Sequence, residues 1–218
     1  MDPAVLFEDF CRSIVRARGL DIEERRGEWT TAVKNSLSRI GKRNGYATFL
    51  NDDRRKSGAY LWDVAWCIED RLRPGKQPAG AGIAGLRFPR RPYRRLVLTG
   101  QVEWGKPGQR ARTQVYRQNL EEVFRDFYKL MDAKSQFKVM VYTSWRYPKQ
   151  GGPTGEFLRG FEHILADYNN HLAGETYLFI EFHDSGRTIY GYQCRIPRRG
   201  PRQFHLRSVG HHGYPGTW

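Results

Sequence analysis

Apolar residues recur at helical spacing in four segments of the chain, which predicts four helices. In the third of these segments the apolar positions form the clearest amphipathic pattern of the sequence. The predicted helices cover residues 4–17, 22–40, 114–134 and 156–172.

Short runs rich in apolar residues precede and follow these segments and predict strands. Asp184, Ser185 and Gly186 separate the last two runs and predict a hairpin turn. The order helix, strand, strand, strand, helix, strand predicts an α/β (α+β) fold in which helices flank a mixed central β-sheet, extended by a C-terminal helix and a β-hairpin. The predicted strands cover residues 46–50, 59–68, 96–104, 137–142, 176–182 and 188–195.

Chain length favours a single core, because 218 residues are too few for two comfortable domains. We predict one domain over residues 1–182, with N-terminal helices at 4–41, a core at about 22–144 and a basic insertion at 71–95. Residues 183–218 are predicted to be a hairpin strand and a basic C-terminal tail. Three isolated cysteines and the absence of a long apolar run favour a reducing, cytoplasmic location and no membrane partner.

The positive charge belongs to two segments of the chain. The formal net charge is +14; residues 71–95 hold eight basic residues, residues 185–218 hold six, and neither segment contains an acid. Both mix Arg with Gly, Pro and aromatic residues, which suits phosphate contacts and the stacking of unpaired bases. The alternative is a pair of solvated segments without a ligand. We predict a nucleic-acid partner, contacted by Arg87, Arg90, Arg91, Arg94, Arg95, Arg198, Arg199 and Arg202.

Two carboxylates interrupt strands that are otherwise apolar. Asp63 falls in the middle of the predicted strand 59–68, and Glu103 falls near the end of strand 96–104, two residues after Gln101. Burying a lone carboxylate is costly, whereas two of them on neighbouring strands would form a site for a hard divalent cation. Mg²⁺ or Mn²⁺ held there can polarise a phosphodiester and supply a bound hydroxide. The pattern therefore predicts the chemistry of a phosphodiesterase.

The order of elements, together with the segments YLWDVAWC, LVLTGQVEWG and NLEEVFRDFYKLMDAKSQFKVMVY, resembles the PD-(D/E)XK, or restriction-endonuclease-like, superfamily. The resemblance spans about residues 24–144. It implies that Asp63 matches the motif Asp, Gln101 the D/E position and Glu103 the Lys position, with Asp63, Glu103 and Gln101 holding the metal. Gln101 is neutral where the pattern expects a carboxylate, and Glu103 is acidic where it expects lysine.

The resemblance also assigns roles outside these two strands. A lysine on a nearby element can replace the motif lysine, for which Lys106 and Lys129 are candidates, and a glutamate of the preceding helix often joins the site, for which Glu28 fits better than Glu24. The implied activity is that of a magnesium-dependent endonuclease, acting on DNA rather than RNA, as a single chain, a homodimer or a subunit of a larger complex. The alternative is a nuclease-fold subunit that binds nucleic acid without cutting it.

Several other residues have simpler explanations than chemistry. We interpret Glu181 as a solvent-side residue of an edge strand and His183 as a surface histidine at the hairpin. The histidines of the tail lack the cysteine partners of a typical zinc site. Three tryptophans are expected to pack in the core, namely Trp62, Trp66 and Trp104.

Overall fold

The computed structural model describes residues 1–14, 26–51, 62–70, 93–104, 113–144, 154–183, 188–198 and 204–213. These residues form four helices: α1 (Pro3–Ile14), α2 (Arg26–Arg43), α3 (Thr113–Met131) and α4 (Thr154–Asp167). They also form seven strands: β1 (Ala47–Leu50), β2 (Val64–Asp70), β3 (Tyr93–Glu103), β4 (Phe137–Ser144), β5 (Thr176–His183), β6 (Thr188–Arg195) and β7 (Arg207–Gly213).

All seven strands belong to one mixed sheet, in which they are neighbours in chain order. β1, β2 and β3 pair antiparallel, β3, β4 and β5 pair parallel, and β5, β6 and β7 again pair antiparallel. The two parallel connections contain α3 and α4, because a parallel pair needs a crossover between its strands. The carboxyl ends of β3, β4 and β5 therefore meet at one edge of the sheet.

Helices cover both faces of the sheet. On one face, α1 and α2 bury aromatic and aliphatic side chains such as Phe7, Phe10 and Trp29 against the sheet. On the other face, α3 and α4 bury Phe127 and Phe161 among the side chains of β4 and β5. Every residue of β4 is buried, which explains why its sequence does not alternate between apolar and polar residues; the polar side chains of Lys138, Thr143 and Ser144 are buried with the rest. The mixed α/β architecture predicted from the sequence is thereby confirmed.

Several element boundaries differ from the sequence predictions, three of them at charged residues. β2 begins at Val64, so that Asp63 precedes the strand instead of lying in its middle. β3 begins at Tyr93, because residues 93–95 pair with the end of β2; Arg94 and Arg95 therefore lie in a strand and not in the irregular basic insertion. α4 ends at Asp167, earlier than predicted, and Leu172 N–H beyond it donates to the Glu175 carboxylate.

The C-terminal segment contains a strand that the sequence patterns did not predict. Residues 207–213 form β7, although the sequence analysis assigned them to a basic tail. β7 pairs with β6 along most of its length, and Val209 packs against the core beside α1. The antiparallel pairing of β5 with β6 agrees with the predicted hairpin, whose turn residues lie outside the described part of the chain.

None of the helices in the described part of the chain is long and apolar enough to span a membrane.

Candidate active site

Asp63 occupies a bend immediately before β2, and its main chain is held on both sides. The N–H of Asn51, at the end of β1, donates to Asp63 O at 3.0 Å. Across the β2–β3 ladder, Val64 faces Gly100, which places Asp63 opposite Gln101. Asp63 N–H donates to Gln101 Oε1 at 3.3 Å, and Val102 N–H donates to Asp63 Oδ2 at 2.9 Å. The structure therefore brings together two of the residues predicted from the sequence, Asp63 and Gln101.

A lysine that the sequence analysis did not single out completes this arrangement. Lys34 projects from α2, and its Nζ lies 2.7 Å from Asp63 Oδ1. The same ammonium donates to Asn51 O at 3.2 Å. An ammonium has three donors, and the third has no partner among the described residues. Lys34 can therefore bind Asp63 and still donate to an incoming anion.

The Lys34–Asp63 pair is largely withdrawn from water. The two side chains retain 12% and 18% of their exposure, respectively. At such a depth, screening by solvent is weaker than at the surface, and removal of one charge leaves the other poorly solvated. The Val102 N–H bond further orients the carboxylate of Asp63, so its direction is set before any ligand arrives.

Glu103 ends β3 two residues beyond Gln101, so both side chains point to the same side of that strand. Gln101 is almost fully buried, whereas Glu103 is half-buried at the carboxyl end of the strand. Gln101 thus presents an amide oxygen in the interior, and Glu103 presents a carboxylate nearer to solvent. Both are the hard oxygen donors that Mg²⁺ prefers.

The remaining sequence candidates have other surroundings. The side chain of Lys129 is exposed and pairs with Asp126, while its carbonyl accepts a hydrogen bond from Trp62 Nε1 at 3.2 Å. Lys129 therefore fastens α3 to the bend that holds Asp63. Glu28 is exposed in the first turn of α2, and it is Lys34 of that helix that reaches Asp63. Lys106 and Glu24 lie outside the described residues.

The arginines predicted to contact nucleic acid are only partly described. Arg95 is exposed on β3, and Arg198 is exposed beyond β6. The backbone of Arg94 lies in β3, opposite Glu69. The other predicted arginines lie outside the described residues, namely Arg87, Arg90, Arg91, Arg199 and Arg202.

A second polar cluster lies at the ends of β4 and β5. Glu181 is fully buried, contrary to its interpretation as an edge residue, because β6 and β7 extend the sheet beyond β5. The Ser144 hydroxyl donates to Glu181 Oε1, and His183 Nδ1 lies 3.0 Å from Ser144 Oγ. Burial and the neighbouring Glu181 carboxylate raise the pKa of Tyr142 well above its ordinary value.

This cluster shares an edge of the sheet with Glu103. Glu103 pairs with Tyr142 across β3 and β4, and Tyr142 pairs with Glu181 across β4 and β5. Residues paired across neighbouring strands point to the same face, so Glu103 and Glu181 face the same way, about 10 Å apart by the ordinary strand spacing. The edge of the sheet that carries the predicted metal ligands is therefore richer in polar groups than the sequence indicated.

No family model, curated protein or solved structure matches the chain. The site must therefore be judged on its own geometry.

The donor set at this edge suits a divalent cation that keeps part of its hydration. Within the described residues, no group of three or more His, Cys, Asp or Glu side chains is placed to hold a metal ion. Mg²⁺ commonly binds one or two protein carboxylates and takes its other ligands from water and substrate phosphates. Asp63 and Glu103 provide two carboxylates at the ends of neighbouring strands, and Gln101 provides an amide oxygen that accepts Asp63 N–H.

Proposed function

We propose that the protein is a divalent-metal-dependent nuclease that hydrolyses phosphodiester bonds, with DNA rather than RNA as its substrate. The observation that carries the proposal is the contact between Lys34 and Asp63 beside Gln101. The PD-(D/E)XK pattern requires two acidic positions and a lysine. This strand end offers the carboxylate of Asp63 and the ammonium of Lys34, with the amide oxygen of Gln101 in place of the second acid. The lysine is supplied by α2 instead of by β3.

The order of elements supports the same proposal. The segment α2–β1–β2–β3–α3–β4 has the helix, strand, strand, strand, helix, strand order that the resemblance implies. Asp63 borders the second strand of that series and Gln101 and Glu103 lie in the third, as the resemblance requires. We therefore extend the proposal to a restriction-endonuclease-like core.

In this proposal Asp63 and Glu103 hold Mg²⁺ or Mn²⁺, and Gln101 adds a carbonyl oxygen. The bound ion supplies Lewis-acid polarisation of the phosphodiester and an activated water. Lys34 keeps the carboxylate of Asp63 oriented and directs its third N–H toward a phosphate oxygen, where it offsets the negative charge that develops during hydrolysis. Lys34 would thus take the role of the motif lysine.

The proposed substrate and location rest on charge and on the cysteines. A net charge of +14 favours association with a polyanion such as nucleic acid. Cys11, Cys67 and Cys194 are all buried thiols, which is compatible with the cytoplasm as the site of action. The protein would act there as a single chain, a homodimer or a subunit of a larger complex.

One observation favours a second function, nucleic-acid binding without cleavage. Each oxygen of Asp63 already accepts a contact, one from Lys34 and the other from Val102 N–H. A metal ion must therefore compete with the Lys34 ammonium for Asp63 Oδ1. Gln101 is neutral and adds no negative charge that would favour binding of the metal ion. A protein with this site would bind nucleic acid as part of an assembly that cuts elsewhere.

Cleavage assays separate the two functions. Full-length protein is incubated with single- and double-stranded DNA and RNA in Mg²⁺ or Mn²⁺, together with Asp63→Asn, Glu103→Gln and Lys34→Met. Glu121→Gln, which changes an exposed acid of α3, is the matched control. Loss of a group that only supports a metal ligand typically reduces activity by about 10–100-fold. We expect each of the three variants to reduce metal-dependent cleavage by more than this, and we expect the control to cleave at the wild-type rate.

The remaining outcomes are equally decisive. Cleavage that persists in both Asp63→Asn and Glu103→Gln would falsify the site assignment. Binding of nucleic acid by the wild-type protein without cleavage in either metal would favour the second function.

A further inference from the structure

A groove lies at the end of the sheet that is opposite the candidate active site. It lies where β4 and β5 begin and where β6 ends, and it has a volume of about 840 Å³. Ligand sites of proteins commonly occupy about 300–1,000 Å³. Its lining includes three arginines, two glutamines and an aromatic residue, namely Arg195, Arg198, Arg207, Gln136, Gln193 and Phe204.

The backbones of the three groove arginines are held in place by pairing. Arg195 ends β6 opposite Thr176 of β5, and Arg207 begins β7 opposite Gln193 of β6. Arg198 follows a segment that exchanges backbone hydrogen bonds with the turn before β5, from Gly174 N–H to Ile196 O and from Ile196 N–H to Glu175 O. The backbones that carry the groove arginines are therefore held in place before a ligand binds, which lowers the entropic cost of binding.

Glycine at position 174 lets Arg198 lie close to this turn. Gly174 has a φ of 76°, a conformation that side-chain-bearing residues rarely adopt, and a Cβ added there would lie 3.3 Å from Arg198 Nε. The guanidinium is thus packed against the main chain at the mouth of the groove.

The groove arginines are exposed, and in the described part of the chain none of them forms an ion pair. The nearest buried acid, Glu175, is already engaged: its carboxylate accepts from Lys138 Nζ at 2.8 Å and from Leu172 N–H at 3.0 Å, and it pairs with His171 at 2.7 Å. Three arginines thus line one concavity and form no ion pair within the described residues, while Glu162, beside the groove, accepts from Leu206 N–H at 2.8 Å and lies 4.0 Å from His205 Nδ1. The positive charges of these guanidinium groups repel one another, and an anionic ligand bound in the groove would reduce that repulsion.

Arginine and glutamine together recognise a phosphate backbone. The planar guanidinium donates two parallel hydrogen bonds to a phosphate, and the amides of Gln136 and Gln193 can donate to phosphate or sugar oxygens. Phe204, at the base of the groove, is buried. The lining therefore combines charge with hydrogen-bond donors.

We propose that this groove is a second nucleic-acid contact region, in which Arg195, Arg198 and Arg207 bind backbone phosphates. It anchors nucleic acid at a distance from the Asp63 site and contributes affinity instead of chemistry. The inference rests on the nucleic-acid partner of the proposed function, but not on cleavage.

Binding is measured with the full chain in EDTA, so that no cleavage occurs. Fluorescence anisotropy with labelled single-stranded and duplex oligonucleotides is recorded over a range of salt concentrations. The variant carries Arg195→Gln, Arg198→Gln and Arg207→Gln. The control removes three exposed charges from helix surfaces, by Lys42→Gln, Arg125→Gln and Arg159→Gln. Loss of three phosphate contacts should reduce the slope of log affinity against log salt by about 2–3.

The slope decides the proposal. A slope in the groove variant equal to that of the wild type, or an equal reduction in the control, would overturn it, provided that thermal unfolding shows both variants to be folded. Wild-type protein that binds anionic lipid vesicles and no oligonucleotide would also overturn it. If Asp63→Asn and Glu103→Gln lose cleavage in Mg²⁺ while the groove variant keeps the wild-type slope in EDTA, the proposed function stands and this inference fails.

Discussion

The Nζ atom of Lys34 lies 2.7 Å from Asp63 Oδ1 and joins the middle of α2 to the bend before β2. Because the same ammonium also binds Asn51 O, at 3.2 Å, it connects the helix with the ends of two strands. The pair therefore has a structural role as well as the catalytic role proposed for it, and the two roles can be measured separately.

Replacing Lys34 by Met should lower the free energy of unfolding by about 1.5–3 kcal/mol, the range for hydrogen bonds to charged groups. The physical reason is that the carboxylate of Asp63 would remain mostly buried with Val102 N–H as its one remaining partner among the described residues. Urea denaturation measures the change. Lys34→Arg keeps the charge and should recover part of the loss. The double variant Lys34→Met/Asp63→Asn should be less destabilised than the sum of the single variants, and strict additivity would contradict a direct interaction.

Replacing Gln101 by Glu should strengthen metal binding. Gln101 Oε1 accepts the N–H of Asp63, and a glutamate keeps that acceptor while adding a charge where the PD-(D/E)XK pattern expects one. Since the position is only 3% exposed, the added charge should destabilise the metal-free protein. Thermal unfolding with and without Mg²⁺ measures both effects. Gln101→Leu, which removes the acceptor, should lose stability without gaining any dependence on Mg²⁺. The prediction fails if Mg²⁺ does not raise the unfolding temperature of Gln101→Glu.

Lys138 and Glu175 form a fully buried ion pair between β4 and the turn before β5. Removing one member, by Lys138→Met or Glu175→Gln, should cost about 3–5 kcal/mol, because the other charge would remain buried without its partner. Guanidinium denaturation measures the loss. The double variant should recover a large part of it, and a double variant less stable than either single variant would contradict this account.

The ionisation of Glu175 makes this contribution depend on pH. Burial by itself raises the pKa of Glu175, but hydrogen bonds from His171 and Lys138 outweigh it, and the folded-state pKa lies below the ordinary 4.5. A carboxyl group with a lowered folded-state pKa stabilises the protein above its unfolded pKa, and this stabilisation is lost as the pH falls through the folded-state value. The stability difference between wild type and Glu175→Gln should therefore be full near neutral pH and shrink below pH 4.5. A difference that stays constant into strong acid would contradict the lowered pKa.

Two glycines of α2 form a matched pair of tests for the packing that positions Lys34. A Cβ at Gly41 would lie 2.6 Å from Thr48 Cγ2 and 2.7 Å from the Trp66 ring, whereas one at Gly27 would meet nothing within 4 Å. Gly41→Ala should therefore destabilise the protein by about 1–3 kcal/mol through overpacking. Gly27→Ala should stabilise it by up to about 1 kcal/mol. Chemical denaturation of both variants checks this prediction, and equal effects would mean that α2 does not press on β1 and β2.

Local sequence was sufficient to predict most of the elements. The helices and the strands β1 to β6 follow from the spacing of apolar residues, because a helix or strand with a buried face must repeat its apolar positions with the period of its backbone. Asp63 and Gln101 were predicted to lie near each other because they belong to strands that are consecutive in the chain, and consecutive strands tend to pair. The sequence also predicted the location of the excess charge, since net charge is a property of composition.

Only the tertiary structure determined which distant groups meet. Lys34 reaches Asp63 because α2 packs across β1 and β2, and nothing in the local pattern of a helix says which surface residue will face a strand end. β7 lacks a clear apolar alternation, and it forms a strand because it pairs with the edge of β6. β6 pairs with the other side of β5, which places Glu181 in an interior strand. Arg195, Arg198 and Arg207 look like scattered members of a basic tail, and the sheet brings them into one groove because it folds the chain back between them.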